Sequence, residues 1–140
     1  MKVTHFFICA SLIVSLLIPD MSAQKTIRAF ALKTALSIDG KFDTEAWSGA
    51  DSVTSFIQME PRPGEPATEP TSAWFGYDNH NIYAVFKCYQ RTPLIAKNQS
   101  RDALSKNDDE VGLVIDTYND NRTGYGFIIN PLGTQVDFKR

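Results

Sequence analysis

The sequence predicts an all-β sandwich, and three observations carry that expectation. Short runs of β-branched and aromatic residues recur along the chain, with turn-forming clusters between them. Helical periodicity is scarce. Hydrophobic residues make up 43% of the chain and aromatics 11%, enough to fill a core between two layers.

Residues 1–23 read as a cleavable export signal. Lys2 supplies a positive start and residues 6–18 form an apolar run. Pro19 and Asp20 break that run, and Met21-Ser22-Ala23 ends in a small residue before Gln24. No later apolar run approaches the roughly 18 residues that a spanning helix requires. The expected destination is therefore the periplasm, the outer-membrane surface or the extracellular space, with residues 24–140 as one domain.

Within that domain, residues 26–33 are a first, loosely alternating strand candidate. Asp39-Gly40 marks a turn. Residues 44–48 are compatible with a single helical turn capped by Asp43, which places Trp47 as a core plug at one end of the sandwich. Residues 52–59 are a second strand candidate. Residues 61–70 hold four of the seven prolines, so an extended surface loop is expected there. Residues 71–78 and 82–89 form a hairpin across the Asp78-Asn-His-Asn81 turn. A second short helical turn is expected over 101–106. Residues 111–116 and 125–130 pair across the polar loop 117–124, and residues 135–139 follow the Pro131-Leu-Gly-Thr134 turn as one more strand. The pattern ends inside that strand, which predicts an incomplete sandwich, the amino-terminal part of a longer protein. The plainer alternative is a complete small sandwich with an edge strand at its end.

Composition narrows the function. Fourteen basic against sixteen acidic residues give a formal charge of −2, which argues against a nucleic-acid partner held by a basic surface. Cys9 leaves with the signal, so Cys88 is a single thiol and no internal disulfide is expected. Its parity with Ala84 and Phe86 makes it core filler. His5 also leaves, and His80 alone offers little to a Ser–His–Asp, Cys–His or zinc machine. No pair of carboxylates stands in an apolar setting suited to glycoside hydrolysis, so the segment is read as non-catalytic.

Four segments resemble a known family in order and spacing. Ser37-Ile-Asp-Gly-Lys-Phe-Asp-Thr-Glu-Ala-Trp47 is similar to the IDGxxDxxxW opening of family 9 carbohydrate-binding modules. Residues 71–86 resemble its paired strands, with Tyr77-Asp78 followed by Asn81-Ile-Tyr83. Asp108-Asp-Glu-Val-Gly-Leu-Val-Ile-Asp116 resembles its acidic-start strand, and residues 124–137 its FxxNPxGxxxD segment. The match is nearest to the subgroup that opens long exported bacterial proteins with a following region of unknown function. The resemblance implies a jelly-roll β-sandwich, binding of polysaccharide or oligosaccharide, and a link to polysaccharide breakdown or uptake. A downstream domain of the same chain is the other implied partner. The chain departs from the family at the sugar contacts. An aromatic plate, a glutamate and an arginine of the sugar-binding members fall about at Lys106, Gly112 and Ile128 here.

Two constellations are candidate sites. Trp74, with Tyr83 and Tyr89, shares the parity opposite to Ala73, Phe75 and Tyr77. An outward aromatic face would form a carbohydrate platform, unless another layer covers it. Arg101-Asp102 and Asp108-Asp109-Glu110 form a charged cluster that reads as a polar ligand rim or a calcium site, although it fits no EF-hand spacing. The simpler reading is a bridge from Arg101 to Asp108 or Asp109 that pins the loop. Residues 116–122 form a second oxygen-rich loop, read as a solvated connection. Trp74, Tyr83, Arg101 and Asp109 are accordingly assigned to carbohydrate binding, with no cofactor required. The rival readings are a docking domain of an envelope β-barrel without sugar affinity, and the targeting arm of a glycoside hydrolase.

Overall fold

The computed structural model describes residues 26–103 and 107–140. The export signal, Cys9, His5, Lys106 and part of the expected 101–106 turn lie outside those residues. The described chain is all-β and contains no helix. It holds two three-stranded sheets. In the first, β1 (Phe30–Ala31) runs parallel to β2 (Thr71–Tyr77), which pairs antiparallel with β3 (Ile82–Cys88). In the second, β4 (Val111–Ile115), β5 (Tyr125–Ile129) and β6 (Gln135–Lys139) form an antiparallel meander.

The two hairpins and β6 lie where the alternation and turn clusters put them. The segments before β2 behave differently. Of residues 26–33 only two pair, and Leu32 closes the element by donating its N–H to the Tyr77 carbonyl at 2.8 Å. Residues 52–59 make no strand. Val53 exchanges both backbone hydrogen bonds with Ala73, at 2.8 and 2.9 Å, and covers the free edge of β2. Ser55 then takes a left-handed φ of 57°, which breaks the extended run. Beyond it the chain turns back on the proline-rich segment, through Gln58 N to Glu65 O at 2.8 Å and Ala67 N to Phe56 O at 2.9 Å. The proline segment is an exposed folded-back loop rather than an extended one.

The expected helical turn near Trp47 is a run of turns with the anticipated cap. Asp43 Oδ1 accepts from the N–H of Glu45 at 3.1 Å and of Ala46 at 2.9 Å. The turn drives Trp47 onto the first sheet, where it is 4% exposed and packs with Leu32 and Tyr83. Phe42 and Trp74 lie beside them with ring centroids 4.6 Å apart.

This layer settles the orientation of the first sheet. Trp74, Tyr83 and Val85 share one face, as their parity requires, and that face is covered by residues of the 30–50 segment rather than open. The outward aromatic platform is therefore corrected to a covered core. Tyr89 alone of the three aromatics stays exposed, with Lys87 Nζ 5.2 Å from its ring centroid. Cys88 is also exposed, not core filler, because it sits at the end of edge strand β3 past the packed residues.

Gly76 is where the layer meets the sheet. A Cβ there would stand 2.9 Å from Trp47 Cη2 and 3.0 Å from the Phe30 carbonyl oxygen. Gly76→Ala should lower stability by about 1–3 kcal/mol, because neither the buried indole nor the paired backbone can withdraw. At Gly126 the obstructing group is the half-exposed Phe138 ring, which is free to swing away. Gly126→Ala should therefore shift the urea midpoint far less than Gly76→Ala, both read by far-ultraviolet circular dichroism.

Candidate functional site

Residues of β3 and of the whole second sheet line a cleft of about 370 Å³. Ala84 and Phe86 contribute from β3, and Phe86 meets Phe75 edge to face at 6.2 Å between centroids. Val111, Leu113, Phe127 and Ile129 contribute apolar surface from β4 and β5, where the register places Leu113 opposite Phe127. At the rim, Gln135 and Asp137 of β6 stand opposite Ile129 and Phe127. Arg101 reaches across to them. Its Nη2 donates to Asp137 Oδ1 at 2.9 Å and its Nη1 to Gln135 Oε1 at 3.1 Å. Its Nε lies 3.6 Å from Asp102 Oδ2. The expected Arg101 bridge to Asp108 or Asp109 is thus replaced by one to Asp137.

Arg101 is held there by a backbone clasp. Asp102 N donates to the Gln135 carbonyl at 3.0 Å, tying the loop to β6. Behind it, Asn130 is 7% exposed and uses both ends of its amide. Its Nδ2 donates to the Asn98 carbonyl at 2.9 Å and to Asp108 Oδ2 at 3.0 Å. Its Oδ1 accepts from the N–H of Leu132 at 3.0 Å and of Thr134 at 2.9 Å. Gly133 makes the turn possible with a φ of 81°. The Asn, Gly and Asp of the FxxNPxGxxxD segment therefore have separate tasks: clasp, turn and partner for Arg101.

The four residues expected to bind sugar are not brought together. Trp74 and Tyr83 lie in the covered cluster. The Tyr83 hydroxyl donates to Asp78 Oδ2 at 2.7 Å and accepts from Asn81 Nδ2 at 3.2 Å. Asp109 clamps the 90–95 loop, its Oδ2 accepting from Ile95 N–H at 2.7 Å and Gln90 Nε2 at 3.1 Å. Only Arg101 lines the cleft. Phe86, Phe127, Gln135 and Asp137 complete it, and the sequence reading missed them as a site. Their signal was the shared parity of Gln135 and Asp137 opposite the alternating aromatic and aliphatic residues of β5.

Several aspartates outside the cleft hold backbone. Asp109 is kept below the ordinary range first by the Ile95 N–H and then by Gln90, against the like charge of Asp108. Asp120 is lowered by the N–H groups of Thr123 and Arg122. Asp116 accepts from Tyr118, Asp120 and Asn121 N–H groups across the same loop. Among the described residues, no three His, Cys, Asp or Glu side chains group so as to hold a metal ion. No helix among them is long and apolar enough to cross a membrane.

Two consequences are measurable. Replacing Asn130 by Ala orphans the Leu132 and Thr134 N–H groups and should cost about 1–3 kcal/mol in chemical unfolding. Asp78 is lowered from 3.8 to about 2, first by the His80 N–H, then by the Tyr83 hydroxyl and the Asn81 N–H. Ionised Asp78 therefore supports the fold at neutral pH, and that support fades as pH falls from 3.8 through about 2. Tryptophan emission followed through an acid titration should show Asp78→Asn losing part of this pH dependence, while being less stable at pH 7.

No family model matches the chain, and no curated protein or solved structure matches it.

Proposed function

We propose that this chain is a non-catalytic carbohydrate-binding module of an exported protein, with its two sheets as leaves of a jelly-roll sandwich. The observation that carries the reading is the cleft's combination of surfaces. Phe86 and Phe127 offer apolar plates for the C–H faces of a sugar ring. Arg101, Gln135 and Asp137 offer charge-assisted donors and acceptors for its hydroxyls. Trp74, Tyr83 and Asp109 serve that site as scaffold. Residues 1–23 would carry the protein out of the cytoplasm, where polysaccharide is met before breakdown or uptake. No bond is made or broken in the cleft, and no cofactor is required.

A second reading, a docking domain within the cell envelope, is favoured by one observation. The second sheet exposes large apolar side chains on both faces. Phe127 (47% exposed) and Ile129 (40%) lie on one side, and Val114 (58%) and Phe138 (39%) on the other. Sheets apolar on both faces are ordinarily covered on both.

Affinity electrophoresis through hydroxyethylcellulose, laminarin, glucomannan and xylan tests the first reading. At least one polymer should retard the protein. Arg101→Ala should weaken that retention by about 1.5–3 kcal/mol, roughly ten- to hundredfold. Phe127→Ala should weaken it too, and Arg91→Ala, remote from the cleft, should not. Free migration through every polymer would leave only the docking reading.

A further inference from the structure

The cleft does not end at Arg101. A polar trough of about 430 Å³ continues past it over the β5–β6 turn, lined by Gln99, Leu132, Gly133 and Thr134. Arg101 and Gln135 line both hollows, so the two adjoin at these side chains. Resting on the carbohydrate reading above, we propose that the site is a two-subsite groove for a neutral glycan chain, with Arg101 at the junction.

Charge selects the ligand class. The single guanidinium already faces two carboxylates, Asp137 at 2.9 Å and Asp102 at 3.6 Å. The charge of the guanidinium is thus already matched, and an anionic sugar would meet Asp137 in the lining without an unmatched cation. A neutral sugar suits the junction. Vicinal hydroxyls can donate to Asp137 and Gln135 and accept from Arg101 at once. The change of surface selects a chain over a single ring. One ring stacks in the apolar cleft, and the next lies over the polar turn, within reach of Gln99.

Isothermal titration with glucose, a gluco-oligosaccharide trimer and polygalacturonate tests this directly. The trimer should bind at least tenfold more tightly than glucose. Gln99→Ala should weaken the trimer severalfold and leave glucose unchanged, because only the second ring reaches it. Polygalacturonate should bind at least tenfold more weakly than the neutral polymer retained in electrophoresis. Asp137→Asn should narrow that gap by releasing the guanidinium. Equal affinity for glucose and trimer, or polygalacturonate bound as tightly as the neutral polymer, overturns the groove and leaves the carbohydrate reading standing. Failure of every glycan to bind removes both.

Discussion

Most of the described chain lies between strands, and its backbone donors must find acceptors without a ladder or a helix to supply them. Side-chain oxygens meet that demand. Asp43 serves the turn before Trp47, Asp78 the first hairpin, Asp108 and Asp109 the long connection to β4, and Asp116 and Asp120 the second hairpin. Asn130 does the same at the β5–β6 turn with a buried amide. These acids are therefore commitments of the backbone. Asp137 differs from them in facing a guanidinium in the cleft, as Glu65 and Glu69 face Arg62 and Arg91 elsewhere.

The cleft follows from the same arrangement. The 95–109 connection is anchored at Ile95, Lys97, Asn98 and Asp102, so Arg101 is delivered to β6 by a fixed path and not by its own flexible stem alone. That fixes a planar donor group at the rim of an apolar hollow. The apolar and polar surfaces of the cleft come from different sheets and a loop.

Much of the fold was legible in the chain. Alternation and turn clusters located β2 to β6, because a hairpin's pairing depends on residues close in sequence. Asp43, Trp47 and the Asp39-Gly40 turn were legible for the same reason, as Lys41 N–H to Asp39 Oδ1 at 2.9 Å shows. What stayed hidden was long-range. Parity correctly grouped Trp74 with Tyr83, but could not say that the 30–50 segment would lie over them. Residues 52–59 look like a strand, yet strand formation needs a continuous partner, and theirs are single residues, Ala73 of β2 and Pro66 of the folded-back loop. For the cleft, Arg101 was named from the sequence, and the structure puts it in the lining with a different partner from the one expected. Asp108 and Asp109 are near in sequence, whereas Asp137 becomes near only when β6 pairs with β5.

The position of the indoles has a practical corollary. Both tryptophans of the protein, Trp47 and Trp74, belong to the layer on one side of the first sheet. Intrinsic emission is consequently a reporter of that half alone. A disturbance confined to β4–β6 would leave the spectrum largely silent, and the two halves could melt at different points while fluorescence recorded a single transition. Cooperativity between the sheets is visible only to a signal placed on the other one, such as the Tyr125 ring of β5.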